Sequence, residues 1–156
     1  MRSPQPFHPI DNAVDHAGQA IAVNIEQPVR QNWQTLIPEG EDVMEGVTMG
    51  NDQFVALYMH HAAHQIRLFQ RNGLPAGEIM LPTLGSLARY DDLGIHCRRG
   101  DAACFYAFQS FTFPTTVYRY DFKNNQVQML FKPAIDFNSQ AFETRQVIVE
   151  SKDGVR

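Results

Sequence analysis

The stretch Phe108-Gln109-Ser110-Phe111-Thr112-Phe113-Pro114-Thr115-Thr116-Val117-Tyr118-Arg119-Tyr120-Asp121 reads as the end of one strand, a loop and a second strand. The residues before it, Ala103 to Phe108, form an almost continuous apolar run. Such a run is expected of a strand covered on both faces. Phe111, Thr112 and Phe113 lead into Pro114, which has no N–H to give a ladder and is expected to close the loop. Val117 to Tyr120 then resume a β-branched and aromatic pattern that places both tyrosines on one face.

Working outward, the same grammar recurs and no stretch carries a helical period. Ala20 to Ile25 and Trp33 to Ile37 read as strands, the second ended by Pro38. Gly46 to Met49, Gln53 to Met59, Gln65 to Phe69 and Gly77 to Leu81 follow, ended by Pro82. The turns between them fall at Asn51-Asp52, at a polar loop from His60 to His64, and at Asn72-Gly73. A strand from Gly85 to Tyr90 opens the next round, and Ile95 to Ala103 carries a strand end and a loop. Ala103 to Phe108 then matches Gln53 to Met59, Val117 to Phe122 matches Gln65 to Phe69, and Gln126 to Phe131 ends near Pro133. The prolines that end successive rounds are spaced by roughly 40 to 50 residues, the period of a four-stranded propeller blade.

The expected fold is therefore all-β, a partial β-propeller of about two and a half four-stranded antiparallel blades. Residues 1–19 are an irregular N-terminal segment, 20–38 the trailing half of one blade, 43–82 a blade and 85–133 another. Residues 134–156 are a linker and one further strand, Thr144 to Glu150, followed by a hairpin turn at Asp153-Gly154. Blades stack face to face, which explains why the second strand of each round does not alternate with polar residues. First strands line a wet channel, where Thr48, Arg89, Asp91 and Asp92 are suited. A β-sandwich is the competing architecture, but it does not require the recurring proline.

The composition describes an ordinary water-facing domain: 44% hydrophobic residues and a formal charge of -4. Basic residues are few and scattered, so no nucleic-acid surface is expected. No run approaches membrane-spanning length. Met1 to Gln19 lacks the basic region, apolar core and cleavage site of a signal peptide, which points to the cytoplasm. Cys97 and Cys104 could face each other across a hairpin and are expected to be free thiols in a reducing compartment.

Several clusters invite a chemical reading and are better explained structurally. His60, His61 and His64 lack a full zinc ligand set and sit in a hairpin loop. Arg99-Gly100-Asp101 is expected to be a tight turn in which Gly100 supplies positive φ. Asp91 and Asp92 with Glu41, Asp42 and Glu45 match no calcium loop and suit a solvated rim. Tyr118 and Tyr120 are expected to pack between blades. No metal or cofactor is implied.

The motif Phe-x-Ser-Phe-x-x-Pro-x-x-x-Tyr-x-Tyr-Asp, spanning Phe108 to Asp121, resembles the last propeller blade of the prolyl oligopeptidase family. Leu36-Ile37-Pro38-Glu39 with Asp42-Val43 resembles one of its inter-blade joints. Val147-Ile148-Val149-Glu150-Ser151-Lys152-Asp153-Gly154 resembles the strand that opens its α/β-hydrolase domain. The resemblance runs from about Ala20 to Arg156. It implies the C-terminal part of a propeller that caps a serine endopeptidase active site and admits only short, proline-containing peptides. The partners it implies are the hydrolase domain and the remaining blades. The family's serine, aspartate and histidine lie downstream of the resembling region. Ser3, Ser86, Ser110, Ser139 and Ser151 all lack Gly-x-Ser-x-Gly flanks, so no catalytic residue is carried over. A free-standing interaction module built from two blades is the alternative. The hairpin signal at Asp153-Gly154, without a second strand after it, favours the fragment. Blade faces left bare are expected to drive self-association, through Phe54, Leu57, Ile66 and Leu68 at one end or Phe105, Tyr106, Tyr118 and Tyr120 at the other.

Overall fold

A computed structural model describes residues 18–88, 93–138 and 141–152. Arg89, Asp91, Asp92, Ser3, Ser139 and the Asp153-Gly154 turn lie outside the described residues. Eleven strands are present among the described residues, with one short 3-10 turn at Arg30–Asn32 and no α-helix. β1 (Ala20–Ala22) pairs with β2 (Gln34–Ile37) in a two-stranded sheet. The second sheet runs in order through β3 (Val43–Gly50), β4 (Gln53–His60), β5 (Ala63–Phe69) and β6 (Pro75–Ile79). The third holds β7 (Ser86–Leu87), β8 (Ile95–His96), β9 (Ala103–Ser110), β10 (Phe113–Asp121) and β11 (Gln126–Phe131). All pairs are antiparallel. The chain is thus all-β, a partial propeller of stacked antiparallel sheets.

Turn chemistry sets the registers. Asn51 and Asp52 have φ of 49° and 58°, and His61 and Ala62 have 46° and 59°. Two successive left-handed residues make the tight turn whose twist matches flanking strands. The loop expected from His60 to His64 is accordingly only two residues long, because His60 pairs with Ala63 and Met59 with His64. Pro114 does not close a loop either. The turn lies at Phe111-Thr112, and Pro114 sits inside β10, where the register slips between Phe113 and Thr116. A slip removes the ladder bond that proline cannot make. The fully buried Thr116 hydroxyl donates to the Pro114 carbonyl at 2.8 Å.

Where a strand is expected from Gly85 to Tyr90 and a strand end over Ile95 to Ala103, the described residues hold two short strands, β7 pairing near Phe108 and β8 near Tyr106, both against β9. The strand expected over Thr144 to Glu150 does not form. Alternation makes a strand only when a neighbour completes its backbone bonds, and Val147, Ile148 and Val149 instead lie exposed.

Packing between sheets is the source of stability. Phe54, Ala56 and Tyr58 on one face of β4 join Ala20, Ile37 and Met44 in one cluster. Val55 and Leu57 on its other face join Ile66, Leu68, Ile79, Tyr106, Phe108, Tyr118 and Tyr120 in a second. β4 is therefore covered on both sides. β9 is not: Cys104, Tyr106 and Phe108 are buried, but Phe105 between them is exposed. Of the residues expected to be bare at the ends of the stack, Phe54, Leu57, Ile66, Leu68, Tyr106, Tyr118 and Tyr120 are all buried between sheets, and Phe105 alone is open. Tyr106 and Tyr118 stack with centroids 5.5 Å apart, which places the tyrosine pair in the inter-sheet core.

Two glycines mark how closely the sheets approach. A Cβ on Gly50 would stand 2.5 Å from the Phe122 ring, across the joint between second and third sheets. Gly73 has φ +83°, and its Cβ would stand 1.8 Å from the Leu36 carbonyl oxygen of the first sheet. A side chain at either position forces the sheets apart. No described helix is long and apolar enough to cross a membrane.

Candidate functional site

A concave feature lies where the strand turns gather. The β4–β5 turn at His61-Ala62, the loop Leu84-Gly85-Ser86 and the β9–β10 turn at Phe111 surround a cavity of about 590 Å³. Thr144 to Val147 close its side. Each wall follows from local chemistry. The His61-Ala62 turn is held by its left-handed residues. The Phe111-Thr112 turn is held by the Thr112 N–H, which donates to Ser110 Oγ at 3.3 Å, and by Thr115 Oγ1, which donates to Gln109 at 2.8 Å. The returning segment is tied to both turns: Thr112 and Thr144 hydroxyls meet at 3.3 Å, and the Gln146 amide donates to the His61 carbonyl. Phe111 is 96% exposed at the rim. The lining offers a ring, hydroxyls and amides, and this set suits binding. Ser110 Oγ is already an acceptor for its own turn and has no elbow geometry.

The histidines expected in one loop go to three different places. His60 Nδ1 donates to Asp42 Oδ1 at 2.5 Å, and Arg67 donates to the other oxygen of the same carboxylate. Arg67 also lies over the Tyr58 ring, 4.3 Å from its centroid. His61 sits in the turn. His64 is buried, accepts the Leu87 N–H at Nδ1 (2.8 Å), and presents Nε2 to Glu45 at 3.1 Å. With Nδ1 accepting, the proton is on Nε2 and donates to the carboxylate. The His64 N–H also donates to the Gly85 carbonyl at 2.9 Å, so this residue fastens the second sheet to the third. Asp42 and Glu45 are thus used in pairs. No group of three or more metal-ligating side chains occurs among the described residues.

Arg99-Gly100-Asp101 forms a turn, with the Asp101 carboxylate accepting the Arg98 N–H at 2.8 Å and Arg99 donating to Asp52 at 2.7 Å. Gly100 does not supply the positive φ expected of it. The turn is built by the Asp101 side chain, and Arg99 is spent on the neighbouring sheet. Thr48, expected in the channel, is half-buried and donates to the Cys97 carbonyl at 3.4 Å. The cavity residues Leu84, Gln109 and Phe111 were not singled out by sequence reasoning. The available signal was that positions 60–63 and 110–113 are corresponding turns of successive rounds.

Asp42 gives a pH prediction. Its partial burial acts to raise the carboxyl pKa, but hydrogen bonds from His60 and Arg67, with their charges, outweigh burial and hold it below its ordinary 3.8. A depressed folded pKa contributes stability above the unfolded value and loses it as pH falls through the folded one. Urea midpoints measured from neutral pH down through the carboxylate range are expected to decline less steeply in Asp42→Asn than in the unsubstituted chain. Parallel curves would remove Asp42 from the acid response.

Comparison with known proteins agrees with this architecture. The family model described as the prolyl oligopeptidase N-terminal β-propeller domain matches residues 10–133. A prolyl endopeptidase of Elizabethkingia meningoseptica is 25% identical over 136 residues, 87% of this chain and 18% of that protein. A prolyl oligopeptidase of Omphalotus olearius is 33% identical over 126 residues, 77% of this chain and 16% of the relative. The chain thus spans less than a fifth of the length of these curated relatives. Among solved structures, one from a study of two prolyl endopeptidases superposes with a TM-score of 0.81 at 20% identity, covering 94% of this chain and 21% of the other. Apo prolyl oligopeptidase B of Galerina marginata superposes at 0.74 and 21% identity, covering 99% and 23%. At these identities the superpositions speak to fold, while the family match covers most of the sequence; the chain belongs to the prolyl oligopeptidase family and corresponds to part of its N-terminal β-propeller domain.

Proposed function

We propose that this chain is the substrate-gating propeller portion of a prolyl oligopeptidase-type serine endopeptidase, and that it is not catalytic by itself. The observation that supports this most is the path of the chain after the last sheet. Thr144 to Val147 return to the turn end of the second and third sheets and wall the cavity there. A catalytic domain following this segment would emerge over the cavity, so short peptides would reach it past the turns. Partners on this reading are the α/β-hydrolase domain and the remaining blades, with short proline-containing peptides as substrates of the whole enzyme. Two free thiols, Cys97 and Cys104, suit the reducing cytoplasm.

The test is a chimera in which this chain replaces the matching stretch of the Elizabethkingia meningoseptica enzyme. It is expected to cleave a short proline-containing chromogenic peptide and to reject a large unfolded protein. A folded chimera that digests both equally would overturn the gating role. The isolated chain is expected to show no turnover of the same peptide. Activity that co-purifies with it and is blocked by a serine-directed reagent would show that it carries its own catalytic machinery.

A further inference from the structure

Cys97 and Cys104 are drawn together by strand register. Ile95 pairs with Tyr106 and His96 with Phe105, so the next step along the two strands sets Cys97 opposite Cys104. Cys104 belongs to the cluster between the second and third sheets, and Cys97 packs against that cluster. Residues directly opposite on antiparallel strands have Cβ atoms about 4.5–5.5 Å apart, against about 3.5–4.5 Å in a disulfide. Closing that gap needs only a small approach. The approach falls just past the end of β8, a strand only two residues long.

We propose that Cys97 and Cys104 form an oxidant-sensitive dithiol that closes to a disulfide linking β8 to β9. The two sulfurs have unequal roles. Cys104 has no exposed surface, whereas Cys97 is half-buried. The neighbouring Cys104 thiol lowers the pKa of Cys97, and the neighbouring Cys97 together with burial raises that of Cys104. Only Cys97 is open to an oxidant from solvent, which makes it the nucleophile and Cys104 the resolving thiol.

With a peroxide as oxidant the step balances. The Cys97 thiolate attacks one oxygen of hydrogen peroxide and becomes a sulfenic acid as hydroxide leaves and is protonated to water. Cys104 sulfur then attacks Cys97 Sγ, the S–O bond breaks, and the departing hydroxide takes the Cys104 proton. Two thiols and one peroxide give one disulfide and two waters. The bridge would pin the inner strand of the third sheet beside Gly50, whose added Cβ would lie 3.1 Å from Cys97 Sγ.

The test treats the full chain with hydrogen peroxide, blocks remaining thiols under denaturing conditions, and digests with trypsin. Arg98 and Arg99 lie between the two cysteines, so cleavage there leaves them on separate peptides. The expected result is one linked pair, lighter than the sum of its peptides by two hydrogens, with both thiols protected and recovered by dithiothreitol. In Cys104→Ser, Cys97 is expected to stop at the sulfenic acid, captured by dimedone. Alkylation of both cysteines after peroxide, over-oxidation of Cys97 with Cys104 free, or bridges between chains would each overturn the proposal. The unsubstituted chain decides the outcome even if the variant fails to fold.

Discussion

Phe108→Ala is expected to remove about 3–5 kcal/mol of stability, the range for truncating a fully buried phenylalanine. Phe108 has no exposed surface and lies in the cluster between the second and third sheets. Its ring is 6.0 Å from that of Phe113, and a Cβ on Gly85 would come within 2.6 Å of it. It also pairs with Leu87, so its loss loosens the short inner strand β7. A domain of this kind has about 5–15 kcal/mol in total, so this one change can take most of it. The built-in comparison is Phe111, three residues on and 96% exposed. Phe111→Ala is expected to stay within about 0.5 kcal/mol. Urea unfolding of the two variants measures the difference directly. Equal midpoints would mean that the third sheet does not pack on the second as described.

That comparison shows how much was legible in the sequence. Strand order and sheet stacking were readable because Phe54 to Tyr58 is apolar at every position, which only a strand with neighbours on both faces requires. The same reasoning misjudged Ala103 to Phe108. Its apolar run is equally continuous, but no described element covers the Phe105 face. Sequence records which surfaces are fit for burial, not which neighbour is present. Pro114 was misplaced for a related reason. Proline forbids a ladder bond, and a register slip removes that bond as well as a loop does. The cavity was not legible because its walls come from four stretches separated by dozens of residues, and proximity there is a product of sheet stacking. His64 shows the same limit. Beside His60 and His61 it looks like part of a loop, yet strand pairing sends it to the joint with Leu87.

The isolated chain is expected to self-associate through the open side of its third sheet. Cross-strand pairing aligns Ala107 with Val117 and Val117 with Phe131, and sets Phe105 opposite Arg119. Phe105 is 41% exposed and Phe131 61%. β11 adds an outer edge whose remaining backbone groups can template another strand. A further blade stacked on this face would cover the aromatic pair, as the third sheet covers Val55 and Leu57 on β4. In its absence, a second copy is the apolar surface at hand. Burying the exposed part of each phenylalanine is worth about 1.5 kcal/mol. Phe105→Asp with Phe131→Asp should therefore weaken association by roughly a hundredfold, at 1.4 kcal/mol per tenfold. Both side chains already face water, so the folded monomer should tolerate the pair. Light scattering across a concentration series is expected to show mass rising with concentration for the original chain and a flat monomer for the double variant. A compact monomer from the original chain, with a melt independent of concentration, would mean that the open face needs no cover and that two blades and a half suffice as a free-standing unit.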